Sequence, residues 1–351
     1  MSVLKSMHLE NFTVFEKASF SFGKNLNVVI GQNGMGKSHL LKLGYSYLSV
    51  CADQNRHNAS MAPTKQVLQK ELSKKMQGVF RPDYTGRLVR RRPGRGRCDV
   101  KLGFSDASTD CSFNFSSNSK TEVNIDVLPE KWSRETPVFL PTRELLTLYP
   151  GFVSLYETAH IPFEETYRDT CILLGAPLAK GPREHQIRQL LQPLENALGG
   201  SVSLESSGFY LHTEDGKMEI NLVAEGLRKL AMLARLISTG ELLAQGFLFW
   251  DEPEANLNPA IIKKVAPVIF SLASSGIQVF IATHSLFLLR ELQLLQHGTD
   301  FQGLDIRYIG LTQNEAGGAV SAECKKNFED LSFIASLEEE LAQAQEVFEQ
   351  V

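Results

Sequence analysis

Eight consecutive residues, Gly31-Gln32-Asn33-Gly34-Met35-Gly36-Lys37-Ser38, combine what a phosphate site needs. The glycines let the backbone wrap closely and turn successive N–H groups toward an anion. Lys37 reaches the β- and γ-phosphates of a nucleotide, and Ser38 offers its hydroxyl to Mg²⁺. Much later, the apolar run Phe247-Leu248-Phe249-Trp250 ends in Asp251-Glu252, and Gln278-Val279-Phe280-Ile281 ends in Ala282-Thr283-His284-Ser285. Nucleotide hydrolysis needs one carboxylate to hold Mg²⁺, which fits Asp251, and one to polarise the attacking water, which fits Glu252. His284 contacts the γ-phosphate or orients that water, or is a packed structural histidine.

The elements that must position these groups are readable from periodicity. Leu26–Ile30 reads as a strand feeding the loop, and His39-Leu40-Leu41-Lys42-Leu43 opens a helix running to about Val50, the context the motif requires. Leu4–Leu9 and Ala18–Phe22 read as strands before it. A polar connection over Asp53–Thr64 and a helix over Lys65–Val79 follow. From Arg87 to Val127 alternation predicts an antiparallel meander with strands near Cys98–Phe104, Cys111–Phe115 and Val123–Val127. Residues 143–198 read as mostly helical, followed by a hairpin, Ser201–Leu204 with Phe209–His212. An apolar helix over about 226–243 and a helix opened by Pro259 flank the strand that ends at Asp251. The last helix, Leu331–Val351, carries Leu331, Ile334, Leu337, Leu341, Ala344 and Val347 on one face.

The chain has 351 residues, 43% hydrophobic and 22% charged, with a net charge of −4, which suits a globular α/β protein with a sizeable core. Any nucleic-acid surface must therefore be local. The candidate is Arg87, Arg90, Arg91, Arg92, Arg95 and Arg97 with Lys101, read either as a phosphate-neutralising hairpin or as a solvated hairpin tip. Five scattered cysteines without a Cys-x-x-Cys point to neither a disulfide framework nor a zinc site. No apolar run is long enough to span a membrane, and no signal-peptide core is present, so a cytoplasmic location is expected.

These ordered motifs, with Leu9-Glu10-Asn11-Phe12 ahead of the loop and Asp251-Glu252-Pro253-Glu254-Ala255-Asn256-Leu257-Asn258-Pro259 behind it, resemble the ABC-type ATPases of the SMC and RecF kind. The compact bacterial group associated with anti-phage defence is the nearest in flavour. The resemblance implies a P-loop NTPase with a two-lobed ABC core, here with an antiparallel β meander and a helical insertion, while the sequence holds no sustained heptad array, so no long coiled coil is expected. It implies an ATPase domain over 1–295, with 51–135 as a β-rich insertion and 143–220 as a helical lobe, followed by a strand and helix over 296–351. Gly31 to Ser38 with His39 would bind ATP and Mg²⁺. In an ATP-dependent homodimer or higher oligomer, Gly226 of the signature Val223-Ala224-Glu225-Gly226 would approach the partner's γ-phosphate. Ala224 stands where the family usually has serine, a loss that Arg228 or Lys229 would compensate. Asn258 stands where a dimer-contact loop usually has aspartate, and the magnesium-sensing glutamine is not evident, with Thr142, Arg143 or Glu144 in its place.

Two functions are open at this stage. One is an ATP-driven dimerising switch acting on nucleic acid or through an effector protein, in genome maintenance or phage defence. The other is a regulatory ATPase subunit that binds only protein, such as a toxin-neutralising component. No second acidic or Cys/His constellation has metal spacing, so no nuclease activity is expected of the chain. The last helix is either the handle for a partner or a helix that packs back on its own core.

Overall fold

The structure is a computed structural model that describes all residues except 1, 58–60, 160, 182–183, 207, 245, 314–317 and 350–351. β1 (Leu4–Phe12), β2 (Phe15–Ser21) and β3 (Leu26–Ile30) lead through the glycine loop into α1 (Lys37–His57), then α2 (Lys65–Phe80). β4 (Arg97–Phe104), β5 (Cys111–Ser116), β6 (Asn124–Val127) and β7 (Pro137–Leu140) precede α3 (Tyr149–Ala159), α4 (Glu165–Leu174) and α5 (Glu184–Leu198). β8 (Gly200–Glu205), β9 (Gly208–Thr213) and β10 (Gly216–Glu219) follow, then α6 (Glu225–Ser238), α7 (Glu241–Ala244) and β11 (Phe247–Asp251). The chain continues through α8 (Pro259–Ser274), β12 (Gln278–Thr283), α9 (Leu286–His297), β13 (Ile306–Gln313), β14 (Val320–Lys325) and α10 (Ala335–Glu349).

The site is built on a six-stranded sheet in the order β14-β13-β3-β12-β11-β7, parallel except for β14. Its central strands are buried on both faces, as parallel strands covered by other layers must be. Side-chain alternation divides them between two cores. Val28, Leu248, Trp250, Val279 and Ile281 face the layer containing α6, α8 and α9, whereas Val29, Phe247, Phe249 and Phe280 face α1 and a second sheet. That second sheet has five antiparallel strands, β2-β1-β4-β5-β6, and β8–β10 form a separate three-stranded one. Gln278, fully buried at the start of β12, joins the first two sheets. Its amide accepts from Leu4 N–H at 2.8 Å and donates to the carbonyls of Leu4 and Gly23, each at 2.8 Å.

Several expectations change in detail. The meander exists, but β1 pairs with β4, so the first two strands extend that sheet rather than the one carrying the loop. The helix after the loop does not stop near Val50; it runs to His57, its exposed last turn ending in Arg56 and His57, where cations suit the helix dipole. The expected helix over 226–243 is broken at Gly240, whose φ of 73° no helix interior adopts, giving α6 and α7. The arginines do not sit on a hairpin. They run from Arg87 in a 3₁₀ turn, Thr85–Leu88, along the connection to Arg97 at the start of β4, pinned by a bridge between Val89 and Phe12. Past residue 295 the chain supplies two strands rather than one, and β13 lies beside β3 in the main sheet. No helix among the described residues exceeds the 21 residues of α1, and none is long and apolar enough to cross a membrane.

Candidate active site

The phosphate loop lies between the end of β3 and the start of α1, and its shape rests on glycine where the backbone turns left-handed. Gly34 and Gly36 have φ of 83° and 89°. A Cβ on Gly36 would also meet Val14 Cγ2 at 2.6 Å and Phe15 Cζ at 2.8 Å, so the loop is pressed against the β1–β2 turn. Gln32, Asn33 and Gly34 are exposed, and Met35, Ser38 and His39 are half-buried. Lys37 is buried and donates to the carbonyls of Gly31 at 2.7 Å and Gln32 at 3.0 Å. Burial lowers its pKa, opposed by the nearby carboxylates of Glu252, Asp251 and Glu254.

β11 delivers the acidic pair. Asp251 is buried, which raises its carboxyl pKa, while a hydrogen bond from Ser38 acts in the opposite direction. Its Oδ1 has no hydrogen-bond partner among the described residues. A hydroxyl and a buried carboxylate oxygen in need of a partner fit a hard cation that takes its other ligands from phosphate and water. No group of three or more His, Cys, Asp and Glu clusters for a metal among the described residues.

Glu252 begins the turn after β11 with φ of 46°, a left-handed conformation rare for a residue with a side chain. Its N–H donates to the Ala282 carbonyl at 2.9 Å, and its Oε1 lies 3.3 Å from His284 Nδ1. Adjacent parallel strands therefore bring together two groups far apart in sequence. Glu254, not singled out from sequence, is buried and accepts from Thr283 Oγ1 at 2.6 Å and His284 N–H at 3.4 Å. Its other oxygen is buried without a partner. The available signal was its place in the same acidic run as Asp251 and Glu252.

Gly226 lies in the first turn of α6, and a Cβ there would meet the Asn256 carbonyl at 2.8 Å, not the chain's own phosphate loop. Asn256, with φ of 62°, donates to Glu225 Oε1 at 2.9 Å. Ala224 is the N-cap and supplies no side-chain cap. The residues expected to compensate for it turn inward in the same chain. Arg228 pairs with buried Glu144 at 3.1 Å, and Lys229 Nζ donates to the Glu252 carbonyl at 2.6 Å. Glu144 also accepts from Thr147 Oγ1 at 2.8 Å, whereas Thr142 is half-buried and Arg143 exposed. Asn258 caps α8, accepting from Ile261 N–H at 3.0 Å.

Two cavities flank the loop. One, of about 220 Å³, lies between Gly31, Gln32, Asn33 and His284 and the first turns of α10 at Ala335, Ser336 and Glu339. The other, of about 490 Å³, is lined by residues including Thr13, Val14, Gly34, His39, Arg90 and Arg91. Thr13 Oγ1, His39 Nδ1 and Arg90 Nε are all buried there without hydrogen-bond partners among the described residues. Burial lowers the His39 pKa to about 4, so the ring is neutral at pH 7.

The arginine cluster divides accordingly. Arg90 donates to the Val14 carbonyl beside the loop, Arg92 pairs with Glu16 at 2.5 Å, and Arg97 pairs with Asp99 at 2.7 Å. Arg87 stands 3.8 Å from Asp83, while Arg91 and Arg95 are exposed.

Residues 127–290 match the family described as "AAA domain, putative AbiEii toxin, Type IV TA system", and residues 6–43 match a second AAA domain family. Over 71 residues the chain is 34% identical to structural maintenance of chromosomes protein 6 of Schizosaccharomyces pombe, a stretch covering 20% of this chain and 6% of that protein. The chain thus spans only a small part of that relative's length. It is similar over 100% of its length to 99% of an Smc head domain of Pyrococcus furiosus, which carries an extended coiled coil and is bound to the C-terminal domain of ScpA (TM-score 0.55, 13% identity). It is likewise similar over 93% of its length to 99% of an Smc head bound to the C-winged helix domain of ScpA (TM-score 0.54, 14% identity). One family match carries the phosphate loop and the other Asp251 to His284, and together with these heads they give the chain the fold of an ABC-type P-loop ATPase of the SMC kind.

Proposed function

We propose that the chain binds ATP with Mg²⁺ in the cytoplasm and hydrolyses it, dimerising around the nucleotide and passing the change to a protein partner. The observation that carries the reading is the convergence of Lys37, Ser38, the unpartnered Asp251 oxygen and the Glu252–His284 pair on one end of the parallel sheet. Lys37 exchanges the Gly31 and Gln32 carbonyls for the β- and γ-phosphates. Ser38 and Asp251 would hold Mg²⁺, which when bound would supply positive charge against the phosphate oxygens. Glu252 accepts the proton of the attacking water, and His284, 3.3 Å from it, orients the carboxylate and the γ-phosphate. The larger cavity takes the base and ribose, where Thr13, His39 and Arg90 offer unpartnered polar atoms.

Dimerisation is favoured because Gly226 contacts nothing in its own phosphate loop, which leaves the start of α6 free to face a second copy's nucleotide. Output through protein is favoured over direct contact with nucleic acid. Arg90, Arg92 and Arg97 are engaged within the chain and Arg87 stands 3.8 Å from Asp83, leaving Arg91 and Arg95 as the remainder, neither with an ion pair among the described residues. A partner at the head also suits a chain whose similar solved structures are bound to ScpA, and a role in defence suits the toxin–antitoxin family description. The test is Glu252→Gln with ATP. Hydrolysis falls by about a hundredfold or more, because an amide cannot take the proton, while ATP is retained and the mass rises to that of a dimer. Wild-type turnover by Glu252→Gln refutes the assignment.

A further inference from the structure

Lys229 is a buried charge that the reaction does not touch. It lies on the inward face of α6 among Leu230, Ala231 and Leu233, at 3% exposure, where an apolar residue would pack without charge. A lysine is rarely so buried unless its ammonium is engaged. Here Nζ donates to the carbonyls of Glu252 at 2.6 Å and Ala255 at 3.3 Å. Burial lowers its pKa to about 8, with Glu254, Glu252, Asp251 and Glu225 holding the proton on.

Those two carbonyls bracket the turn after β11. The turn contains two left-handed non-glycine residues, Glu252 and Asn256, a conformation that surrounding contacts must maintain. The backbone contributes Glu252 N–H to Ala282, Ala255 N–H to Glu252 and Leu257 N–H to Glu254. Side chains tie Glu254 to Thr283 and His284 and Glu252 to His284, and the ties across to α6 are the Lys229 ammonium inside and the Glu225–Asn256 hydrogen bond outside, with Gly226 against the Asn256 carbonyl between them.

We propose that Lys229 is a positioning residue that clips the start of α6 to the Glu252 turn of the same chain, so that a second copy docking on Gly226 sets the aim of Glu252. The inference rests on the ATPase reading above and adds a physical link between the two nucleotide sites of a dimer. Each protomer's own carboxylate is oriented by the helix that reads its partner's nucleotide.

The experiment compares wild type, Lys229→Met and Lys229→Arg in kcat and KM for ATP, Kd for a non-hydrolysed ATP analogue, and thermal midpoint. Lys229→Met keeps the length and apolar body of the side chain and removes the donors. It is expected to hold the analogue Kd within about twofold of wild type and to lower kcat at least tenfold, while Lys229→Arg, which restores N–H donors, recovers kcat to within about threefold. A Lys229→Met kcat within twofold of wild type overturns the proposal. So does an arginine variant as slow as the methionine one with the same fall in midpoint, the outcome of a purely structural role. If Lys229→Met does not fold, Asn256→Gly decides: it severs the exposed tie while tolerating the φ of 62°, and an unchanged kcat overturns the proposal. A wild-type chain that does not turn over ATP instead overturns the ATPase reading itself, and the proposal with it.

Discussion

Removal of the Lys75 ammonium is expected to be the most destabilising single charge deletion outside the nucleotide site. Its side chain is 8% exposed, with Nζ 2.8 Å from Glu165 Oε1 and 2.7 Å from Asp169 Oδ2. Burial alone would lower its pKa, but the two carboxylates outweigh that effect and raise it. Asp169 also accepts from Tyr45 OH of α1 at 2.5 Å and pairs with Arg168 at 2.9 Å, so the cluster ties α2 and α4 to the helix that begins at the phosphate loop. The fit is close: a Cβ at Gly78 of α2 would lie 1.9 Å from Glu165 Oε2. Breaking a buried pair by removing one partner costs about 3–5 kcal/mol, and because Asp169 keeps two partners the lower end applies, about 3 kcal/mol. With an unfolding entropy of about 2.1 cal/mol/K per residue, 351 residues convert this to a fall of about 4 °C in thermal midpoint for Lys75→Met. Scanning calorimetry at low and high salt measures it, and the fall should persist in high salt because a buried pair is weakly screened. Adding Glu165→Gln should restore about half, since the stranded charge is gone. A fall below about 1 °C, or one that vanishes with salt, would refute the argument and place the cluster among ordinary surface pairs.

Ala224→Ser supplies the missing N-cap of α6 and should raise stability by about 1 kcal/mol; a midpoint rise of about 1 °C checks it, and no rise would mean those N–H groups are already satisfied. Arg90→Ala should weaken ATP binding, read by titration with a fluorescent analogue, without altering salt dependence. Arg95→Glu, outside the larger cavity, should leave ATP affinity and any slope of log DNA affinity against log salt unchanged. A slope flattened by about 1 would instead restore the arginines to a nucleic-acid surface. Cutting the chain after Ile334 removes α10 but keeps the buried Leu331 and Ile334. The shortened chain should fold, having lost the half-buried Leu337 from the edge of the core and the exposed Arg290–Glu340 pair, the latter worth at most about 1 kcal/mol. Because Ala335, Ser336 and Glu339 line one side of the smaller cavity, stopped-flow nucleotide association should also quicken; an unchanged rate would show that α10 does not narrow the entrance.

The parts of the site that were legible in sequence are those whose chemistry is local. The glycine loop between β3 and α1, and the apolar runs ending at Asp251 and Thr283, each announce their place by residue type within a few positions. Long-range pairing was not legible. Nothing near Arg92 indicates that Glu16 will neutralise it, and Asp99, two residues from Arg97, was not set against that charge, so the cluster read as free charge. β14 escaped because Val320–Lys325 is short and mostly half-buried at the sheet edge, where alternation is weak. The helix stripe proved a poor guide to burial. Leu331 and Ile334 are covered but precede α10, and within it Leu341 and Val347 are 54% and 57% exposed. Lys229 read as a candidate for the partner's nucleotide because helical spacing does not reveal which charge turns inward.

The order of strands in the main sheet has a consequence for how the protein is made. β3, the strand that feeds the phosphate loop, lies between β12 and β13, and contacts such as Asp305 to Asn25 close a separation of 280 residues. At about 5–20 residues per second, the ribosome releases β3 roughly 15–55 s before its outer neighbour exists. Until then Leu26–Ile30, every residue of which ends up buried, has neither flanking strand to pair with. The nascent chain therefore carries an unpaired apolar strand, a template for wrong pairing and a natural client for a chaperone. It also cannot act early: the candidate site closes only once β12 and β13 have emerged, so on the ATPase reading no half-made copy competes for ATP.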